Sequence, residues 1–465
     1  MTADSTARFL VPVGEPTALA GETAMKLPGH DLFRNYVYNI HVIPSKIDVE
    51  RFKAALSKAL ARYPHTAGRL LREGDDWKID LTNSPIPVLV SWITPNASEL
   101  SESYPFPNEF NIQPGNLTQP FFNSEDCGKV LVPGDATDPL LGFKLTIWEN
   151  GTAIGISWCH TCGDAYSLWE FTRCLSAYYV DLDAAESALP PAPSFYRHFF
   201  RSPFSRGSDA SDLTENFLPR MPHLAKDYDL TPLWQKYGAQ DAITNQVQLR
   251  ISGESIEKIL NLAKAEVPPN SEGVKITPSD ALAAYLIKVL NQSQGKPMDT
   301  VILILNYRGS SKDPSTVTTF NAPSAQGNVI MVMYSDPLPP SSASSVSALA
   351  HFIRTTVNQA RDHKFLEKWM SWASYLLGKS ANAGPEGRFQ FFGPLDGEVS
   401  INSNYRTDWN DAHFGFPGKA RFFTSWSTMN YFRIFCANPR PDGSTASNGA
   451  SDANICVHVH KDYAE

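Results

Sequence analysis

The stretch AIGISWCHTCGDAYSL, from Ala153 to Leu168, decides the fold because two periodicities meet in it. Its first part alternates as far as Trp158 in the manner of a β-strand. The apolar residues Leu168, Phe171 and Leu175 then recur at helical spacing. We therefore predict a strand, a short turn and a helix over this stretch.

The turn contains the two residues that point to chemistry, His160 and Asp164. His160 follows the strand end, where a side chain can face a cleft, and its ordinary pKa near neutrality suits a general base. Asp164 lies at the start of the helix, where the macrodipole favours a negative charge. With 11 histidines in the chain, the His-x-x-x-Asp spacing often arises by chance. Taken alone, the spacing favours a structural histidine.

Composition excludes several classes of function. A formal net charge of −8 and the absence of any Lys/Arg-rich run disfavour nucleic acid or an anionic membrane surface as the main partner. The sequence has no run of 18 apolar residues and no recognisable secretory signal, so we expect a cytoplasmic protein without a membrane span. Cys159 and Cys162 flank His160, but no second Cys/His pair lies nearby to complete a metal site, which favours reduced, structural thiols.

The 465 residues divide into two halves of similar strand and helix content. Residues 186–240 are rich in Pro, Ser and Asp and are expected to be irregular, and the part after a helix near 344–361 is expected to be mainly strand. We predict an N-terminal lobe over residues 1–195, a crossover or linker over 196–240, and a C-terminal lobe over 241–465.

Five segments follow one another in a particular order along the chain. They are Tyr63-Pro64 with Ala67-Gly68-Arg69, His160 to Asp164, Asn306-Tyr307-Arg308, Gly327-Asn328, and Phe414 to Lys419. Together they resemble the motifs of the BAHD-type acyl-CoA-dependent acyltransferases, and the resemblance covers nearly the whole chain. It implies an α/β fold of two chloramphenicol-acetyltransferase-like lobes, each a mixed sheet with helices, and an active-site channel between them.

The resemblance implies acyl transfer from an acyl-coenzyme A thioester to a hydroxyl or amine of a small-molecule acceptor. His160 would act as the general base, with no metal and no permanently bound cofactor. A thioester carbonyl is already electrophilic, so one base suffices and no covalent acyl-enzyme is required. Asp164 would point away from the cleft and pair with Arg308. A simple helix cap remains the alternative for Asp164.

The resemblance also supplies weaker assignments. Asn402 and Ser403 align with a family position whose side chain helps to stabilise the oxyanion, and both are candidates for that role. Lys275 and Thr277 lie in a region that contacts coenzyme A in the family. Each of these residue types can donate a hydrogen bond to an anionic oxygen.

Two departures from the family pattern concern the last segment. His413 stands where the family has an acid, and Pro417 precedes Gly418. The departures favour a divergent member in secondary metabolism, such as a fungal one, and we expect a monomer. Two alternatives stay open: a non-catalytic or repurposed member that binds or acts on a metabolite without a thioester donor, and a member that takes its acyl group from a carrier protein.

Overall fold

The computed structural model describes residues 4–15, 19, 21–94, 111–114, 121–128, 131, 138–207, 209–266, 273–309, 322–424, 428–440 and 450–463. The strands are β1 Ser5–Val11, β2 Ala24–Leu27, β3 Tyr36–Ile43, β4 Arg69–Glu73, β5 Asp76–Asp80, β6 Ile86–Trp92, β7 Asn111–Pro114, β8 Leu141–Trp148, β9 Gly151–Cys159, β10 Asp227–Tyr228, β11 Thr244–Ile251, β12 Thr300–Asn306, β13 Ile330–Tyr334, β14 Phe389–Gln390, β15 Glu398–Asn404, β16 Arg421–Thr424, β17 Tyr431–Cys436 and β18 Ala453–His460. The helices are α1 Val49–Arg62, α2 Ala165–Val180, α3 Ala210–Asp212, α4 Pro222–Ala225, α5 Leu230–Ile243, α6 Gly253–Lys264, α7 Pro278–Gln294, α8 Val346–Ala360 and α9 His363–Asn382. Within these ranges, no helix is long and apolar enough to cross a membrane.

Two large mixed sheets form the two lobes. The first has the strand order β1-β6-β8-β9-β3-β16, and the second has the order β13-β12-β15-β17-β18-β11-β7. Helices α1 and α2 pack on the first sheet, and α6, α7 and α8 pack on the second. The expected two-lobe α/β architecture is therefore confirmed.

Sequence signals place the helices that cover the first sheet. Asp48 accepts a hydrogen bond from the Arg51 N–H at 3.0 Å and so caps α1. Phe52, Leu56 and Leu60 follow at helical spacing, and all three are fully buried against the sheet. Burial of this apolar stripe fixes α1 beside α2 and thereby supports the turn that precedes α2.

Each sheet receives one strand from the other half of the chain. Strand β16 pairs antiparallel with β3, and Phe422 lies opposite His41. Strand β7 pairs antiparallel with β11 in the second sheet. With boundaries at residues 195 and 241, β7 falls in the N-terminal lobe and β16 in the C-terminal lobe, whereas each pairs with the sheet of the other lobe. An edge strand can be added to a sheet from any part of the chain that reaches it.

Two long helices lie where the sequence was expected to be irregular or strand-like. Helix α9 buries Leu366, Trp369 and Leu377, and Asp362 caps it through the Phe365 N–H at 2.9 Å. The expectation of strand after residue 361 is wrong for this segment, since its aromatic residues recur at helical rather than alternating spacing. Helix α5 begins within the segment expected to be irregular and ends three residues beyond it. Its only buried side chain is Leu233, so it carries little amphipathic signal.

Candidate active site

Backbone contacts fix the turn between β9 and α2. The His160 N–H donates to the carbonyl oxygen of Asn35 at 2.8 Å, and the Thr161 hydroxyl donates to that of Phe33 at 2.9 Å. Gly163 adopts a φ of +157°, and a Cβ there would lie 2.6 Å from the side chain of Ser167. Glycine is therefore required at this position.

His160 lies half-buried at the end of β9. Its ring centroid is 5.2 Å from that of Phe33, and its Nδ1 is covered and makes no hydrogen bond of normal geometry. Burial lowers the pKa of His160 below the ordinary 6.5. The charge of Asp164, the His160 carbonyl and the Asn328 amide oppose this shift. The imidazole is therefore neutral at pH 7 and able to accept a proton.

Asp164 forms an ion pair with Arg308 across the two lobes. Arg308 Nη1 donates to Asp164 Oδ2 at 2.6 Å, and Arg308 Nη2 donates to Asp164 Oδ1 at 3.1 Å. Both side chains are at least 95% buried. Asp164 also accepts the backbone N–H groups of Ser167 and Val329, at 3.1 and 3.0 Å. The carboxylate therefore caps α2 and binds the other lobe at the same time.

A second buried carboxylate, Asp31, fixes the same turn, although no motif in the sequence had pointed to it. Asp31 accepts the Asn328 N–H at 2.8 Å, and the Asn328 side-chain amide donates to the His160 carbonyl oxygen at 2.8 Å. Arg197 Nε lies 3.4 Å from Asp31 Oδ2, and Arg197 Nη2 donates to the Cys162 carbonyl oxygen at 3.1 Å. These contacts position the backbone on both sides of His160.

Close packing around Arg197 requires the glycine of the Gly327-Asn328 pair. Gly327 adopts a φ of +109°, and a Cβ there would lie 1.4 Å from Arg197 Nη1. The Ser167 hydroxyl contacts both backbone groups of Gly327, at 3.1 Å to the nitrogen and 3.2 Å to the oxygen. The pair noticed in the sequence therefore lies against the turn that carries His160.

A series of aromatic rings leads from His160 to the second sheet. Ring centroids are 5.3 Å apart between Phe33 and Phe392, 5.4 Å between Phe392 and His223, and 5.1 Å between His223 and Tyr334. Tyr334 lies opposite Ile302 in the β12–β13 pair. His160 thus faces a wall of aromatic side chains that ends on the second sheet.

The oxyanion candidates Asn402 and Ser403 lie on opposite faces of β15, because successive side chains of a strand alternate. Asn402 is half-buried, and its Nδ2 donates to the Tyr431 hydroxyl oxygen at 3.2 Å. Ser403 is exposed and lies on the same face as Ile401, which packs in the core with α7 and α8. An amide has two N–H groups, so Asn402 retains a second donor.

The coenzyme A candidates Lys275 and Thr277 lie at the start of α7. Lys275 is exposed. The Thr277 hydroxyl donates to Asp280 Oδ2 at 2.6 Å and accepts from Arg354 Nη2 at 2.9 Å, which closes a capping box. The structure therefore assigns the Thr277 side chain to the helix cap, on the side of the second sheet that α7 and α8 cover.

Positive charge accumulates beside this cap, and no pattern in the sequence had indicated it. Arg354 donates to both oxygens of Asp280. The pKa of Arg361 is lowered mainly by burial and further by the charges of Arg354 and Arg406. Arg406 follows β15 and is exposed. Only the fold brings these arginines together, since they come from separate elements.

The segment that departs from the family signature lies at the base of the first lobe. Phe414 is fully buried, and its N–H donates to the Ser176 hydroxyl at 2.8 Å. His413 Nδ1 accepts the Gly415 N–H at 3.1 Å. Asp411 Oδ2 lies 3.8 Å from Arg173 Nε. These contacts anchor a turn and place no titratable side chain beside His160.

The cysteines beside His160 are poorly suited to nucleophilic chemistry. Burial raises the pKa of Cys159 to about 11 and that of Cys162 well above 9. Both thiols therefore stay protonated at pH 7, and a protonated thiol is a weak nucleophile. Within the described part of the chain, no group of three or more His, Cys, Asp or Glu side chains could hold a metal ion.

The chain is similar to a known protein family and to several solved structures. A family model described as "Transferase family" matches residues 32–337. No curated protein matches the chain by sequence.

Several solved structures share the fold over nearly the whole chain. Vinorine synthase is 16% identical, with a TM-score of 0.60, and the alignment covers 99% of this chain and 96% of that protein. TRI101 of F. graminearum, complexed with ethyl coenzyme A, is 14% identical with a TM-score of 0.59, covering 95% and 96%. TRI101 of F. sporotrichioides, complexed with coenzyme A and T-2, is 13% identical with a TM-score of 0.60, covering 94% and 95%.

Proposed function

The chain belongs to the BAHD-type transferase family, and from this premise we propose that it transfers an acyl group from an acyl-coenzyme A thioester to a hydroxyl or amine of a small-molecule acceptor. His160 is the general base of this proposal. The observation that carries it is a neutral, half-buried imidazole at the lobe junction, with its Nδ1 covered and its turn anchored by contacts to both lobes.

The proposed reaction begins with proton removal from the acceptor. Because Nδ1 is covered, Nε2 of His160 takes the proton of the acceptor hydroxyl or amine as its oxygen or nitrogen attacks the thioester carbonyl. The tetrahedral intermediate then collapses, the carbon–sulfur bond breaks, and the departing thiolate takes the proton back from His160. One positioned base contributes about 10²–10⁴-fold to such a reaction.

Asp164 serves this mechanism by position and not by proton transfer. Its two oxygens are engaged by Arg308 and by two backbone N–H groups, all of which favour a carboxylate that stays in place. In the same proposal, the second N–H of Asn402 is the better oxyanion donor. The alternation of β15 turns Ser403 toward the helices that cover the sheet.

Coenzyme A is proposed to bind at the positive cluster beside α7. Arg354, Arg361 and Arg406 lie close enough for their charges to interact, while Arg354 pairs with Asp280. Arginines suit phosphate groups because the guanidinium can donate two parallel hydrogen bonds. Lys275 adds an exposed ammonium near the start of the same helix. Substituting both Arg361 and Arg406 with methionine should raise KM for acyl-coenzyme A while kcat stays within about threefold.

The deciding experiment is thiol release by the wild type and His160→Ala with a panel of acyl-coenzyme A donors and hydroxyl or amine acceptors. We expect acceptor-dependent thiol release by the wild type and a loss of about 10²–10⁴-fold in His160→Ala, with an unchanged circular dichroism spectrum. His413→Ala is the matched control, since it removes another half-buried imidazole, and it should keep at least about one third of the activity.

The pH profile provides a second readout. The pKa of His160 lies below 6.5, so wild-type activity should persist to a pH below 6.5 before protonation removes the base. Near-normal turnover by His160→Ala would contradict the role of His160.

The alternatives predict other outcomes in the same assay. A folded wild type that releases no thiol, yet binds a metabolite, would support a non-catalytic or repurposed member. Transfer only from an acylated carrier protein would support the carrier-bound donor. A role in secondary metabolism, a cytoplasmic location and a monomeric state remain predictions from the sequence.

A further inference from the structure

A cavity of about 650 Å³ lies at one edge of the second sheet. The sheet contributes Thr300, Tyr334 and Glu398, which stand at the ends of β12, β13 and β15. Most of the remaining wall comes from residues between 212 and 222 and from the start of α9. Sites for small molecules typically enclose about 300–1,000 Å³, so the size of this cavity suits a small organic ligand.

The three residues from the sheet lie on one face of it. Thr300 is the neighbour of Glu398 in the parallel β12–β15 pair, and Tyr334 lies opposite Ile302, two residues beyond Thr300 on β12. Side chains that are paired across strands, or two apart along one strand, point to the same side of a sheet. Val301, between Thr300 and Ile302, belongs to the core that α7 and α8 cover. Thr300, Tyr334 and Glu398 therefore face away from these helices.

Negative charge exceeds positive charge in the wall of the cavity. The charged side chains are four carboxylates and two cations, namely Asp212, Glu215, Asp336, Glu398, Arg220 and Lys368. Both cations are already paired, since Lys368 Nζ lies 3.1 Å from Asp212 and Arg220 Nη2 lies 2.6 Å from Asp336. Among the described residues, no cation of the chain pairs with either Glu215 or Glu398.

Glu398 and Tyr334 are polar side chains whose bonding capacity is not filled by the described part of the chain. Glu398 is half-buried, its Oε2 accepts the Leu395 N–H at 2.9 Å, and burial raises the pKa of its carboxyl. Tyr334 is 4% exposed, yet its hydroxyl makes no hydrogen bond with any described residue. Burial and then the charge of Glu398 raise the pKa of Tyr334, so the two groups lie near each other. A buried polar group without a partner is costly, which indicates that a further molecule completes this pair.

An ammonium group fits this set of side chains. It has three N–H donors and no acceptor, whereas the Glu398 carboxylate and the hydroxyl oxygens of Tyr334 and Thr300 are acceptors. The unbalanced negative charge favours a cation over an anion. Phe217 and Phe365 add aromatic surface to the same cavity, against which the apolar part of a ligand can pack.

We propose that this cavity binds a small organic ammonium ion with an aromatic or alkyl body, held by Glu398, Tyr334 and Thr300. The proposal does not depend on the proposed function, because His160 does not line the cavity. Tyr334 is the last ring of the aromatic series that begins at His160, and His223 stacks on it with ring centroids 5.1 Å apart and planes 7° apart. The Tyr334 ring is therefore held in place before a ligand arrives.

Calorimetric titration of the full chain at pH 7 tests the site without turnover. The ligands are 2-phenylethylamine, which is protonated at this pH, and its neutral counterpart 2-phenylethanol. We expect one amine per chain, bound at least about tenfold more tightly than the alcohol, because charge-assisted hydrogen bonds are stronger than neutral ones. A wild type that binds both ligands equally, or binds neither, would overturn the proposal.

Substitutions in the cavity decide whether Glu398 and Tyr334 are responsible. E398Q keeps an oxygen for the Leu395 N–H, and circular dichroism should show an unchanged fold. It should abolish the preference for the amine, while the affinity for the alcohol stays within about threefold. Y334F keeps the ring that stacks on His223 and should weaken amine binding by severalfold. A preference that survives in E398Q would overturn the site.

Two control variants locate the bound amine. E149Q removes the same charge from an exposed carboxylate in the turn between β8 and β9, and amine binding should stay within about threefold. H160A should also bind the amine within about threefold of the wild type, since His160 lies outside the cavity. Loss of amine binding in H160A, with binding intact in E398Q, would place the amine at the candidate active site and contradict the proposal.

Discussion

Two turns of the molecule carry motifs that were noticed in the sequence, and they are built in different ways. The His160 turn, from Cys159 to Asp164, is anchored by buried charges: Asp164 contacts Arg308, and Asp31 reaches it through Asn328. The signature turn, from Ala412 to Gly418, is anchored by the buried ring of Phe414 and by hydrogen bonds from its backbone N–H groups to the side chains of His413 and Ser176. A turn that presents a base must be fixed in direction as well as position, and hydrogen-bonded charges provide that direction, whereas apolar packing is non-directional.

The largest expected effect concerns Asp164. Asp164→Asn leaves Arg308 buried without its carboxylate, and such losses typically cost about 3–5 kcal/mol of unfolding free energy. Urea denaturation measures the loss, and a double-mutant cycle with Arg308→Met measures the coupling. Asp411→Asn, directly before the signature turn, is the matched control. The Asp411 side chain is 48% exposed, and its carboxylate lies 3.8 Å from Arg173 Nε. The substitution should therefore change the free energy of unfolding by no more than about 0.5 kcal/mol. A coupling of zero between Asp164 and Arg308 would contradict the comparison.

A smaller effect is expected for Asp31. Asp31→Asn weakens the charge-assisted hydrogen bond to the Asn328 N–H and the contact with Arg197, which should cost about 1.5–3 kcal/mol. Because Asn328 positions the His160 carbonyl, kcat should fall more than KM rises. The measurement is steady-state kinetics on the folded variant. An equal loss of stability with unchanged kcat would show that Asp31 acts only on the fold.

The third effect concerns the apolar packing around the signature turn and is measured by its dependence on pH. His41 lies beside Phe414 and Phe422 with both ring nitrogens unbonded, and burial lowers the pKa of His41 to about 3. The unfolded chain binds this proton below pH 6.5 while the folded chain does not, so stability falls as the pH drops from about 6.5 toward 3. Between pH 7 and pH 5, His41 alone should lower the free energy of unfolding by about 2 kcal/mol.

His41→Leu should reduce the pH dependence by that amount, as measured by urea denaturation at both pH values. Packing changes are common to the two measurements and cancel in the difference. An unchanged difference between pH 7 and pH 5 would mean that His41 is not buried in its neutral form.

The smallest effect is expected for His413. Its Nδ1 accepts the Gly415 N–H, and a carboxylate at this position can accept the same bond. His413→Asp should therefore change stability by less than about 0.5 kcal/mol and activity by less than about tenfold, or roughly 1.4 kcal/mol in the barrier. Activity that appears only in the aspartate variant would reverse this interpretation and support a non-catalytic natural protein.

The sequence predicted those elements whose signals are local. The strand–turn–helix around His160 is the example predicted above. The cap and apolar stripe of α1 and the Thr277 cap of α7 rest on signals of the same local kind, from residues within a few positions of one another. Helix α9 had the same kind of signal in Leu366, Trp369 and Leu377, although strand was expected after residue 361. Helix α5 had almost none, because a single side chain is buried.

By itself, the sequence determined the two-lobe α/β class, the base candidate His160, and the likeness of five ordered segments to one family, since spacing along the chain is enough for each. Only the tertiary structure decided which side chains share the cleft. The exchange of β7 and β16, the approach of Asp31 to Asn328, and the place of Arg433 beside Asn402 depend on contacts between residues far apart in the chain. Alternation along β17 predicts that Arg433 and Phe432 face opposite ways, but not which face is covered by helices. That choice follows from burying the apolar side chains against α6, α7 and α8, which leaves Arg433 on the opposite face of the sheet.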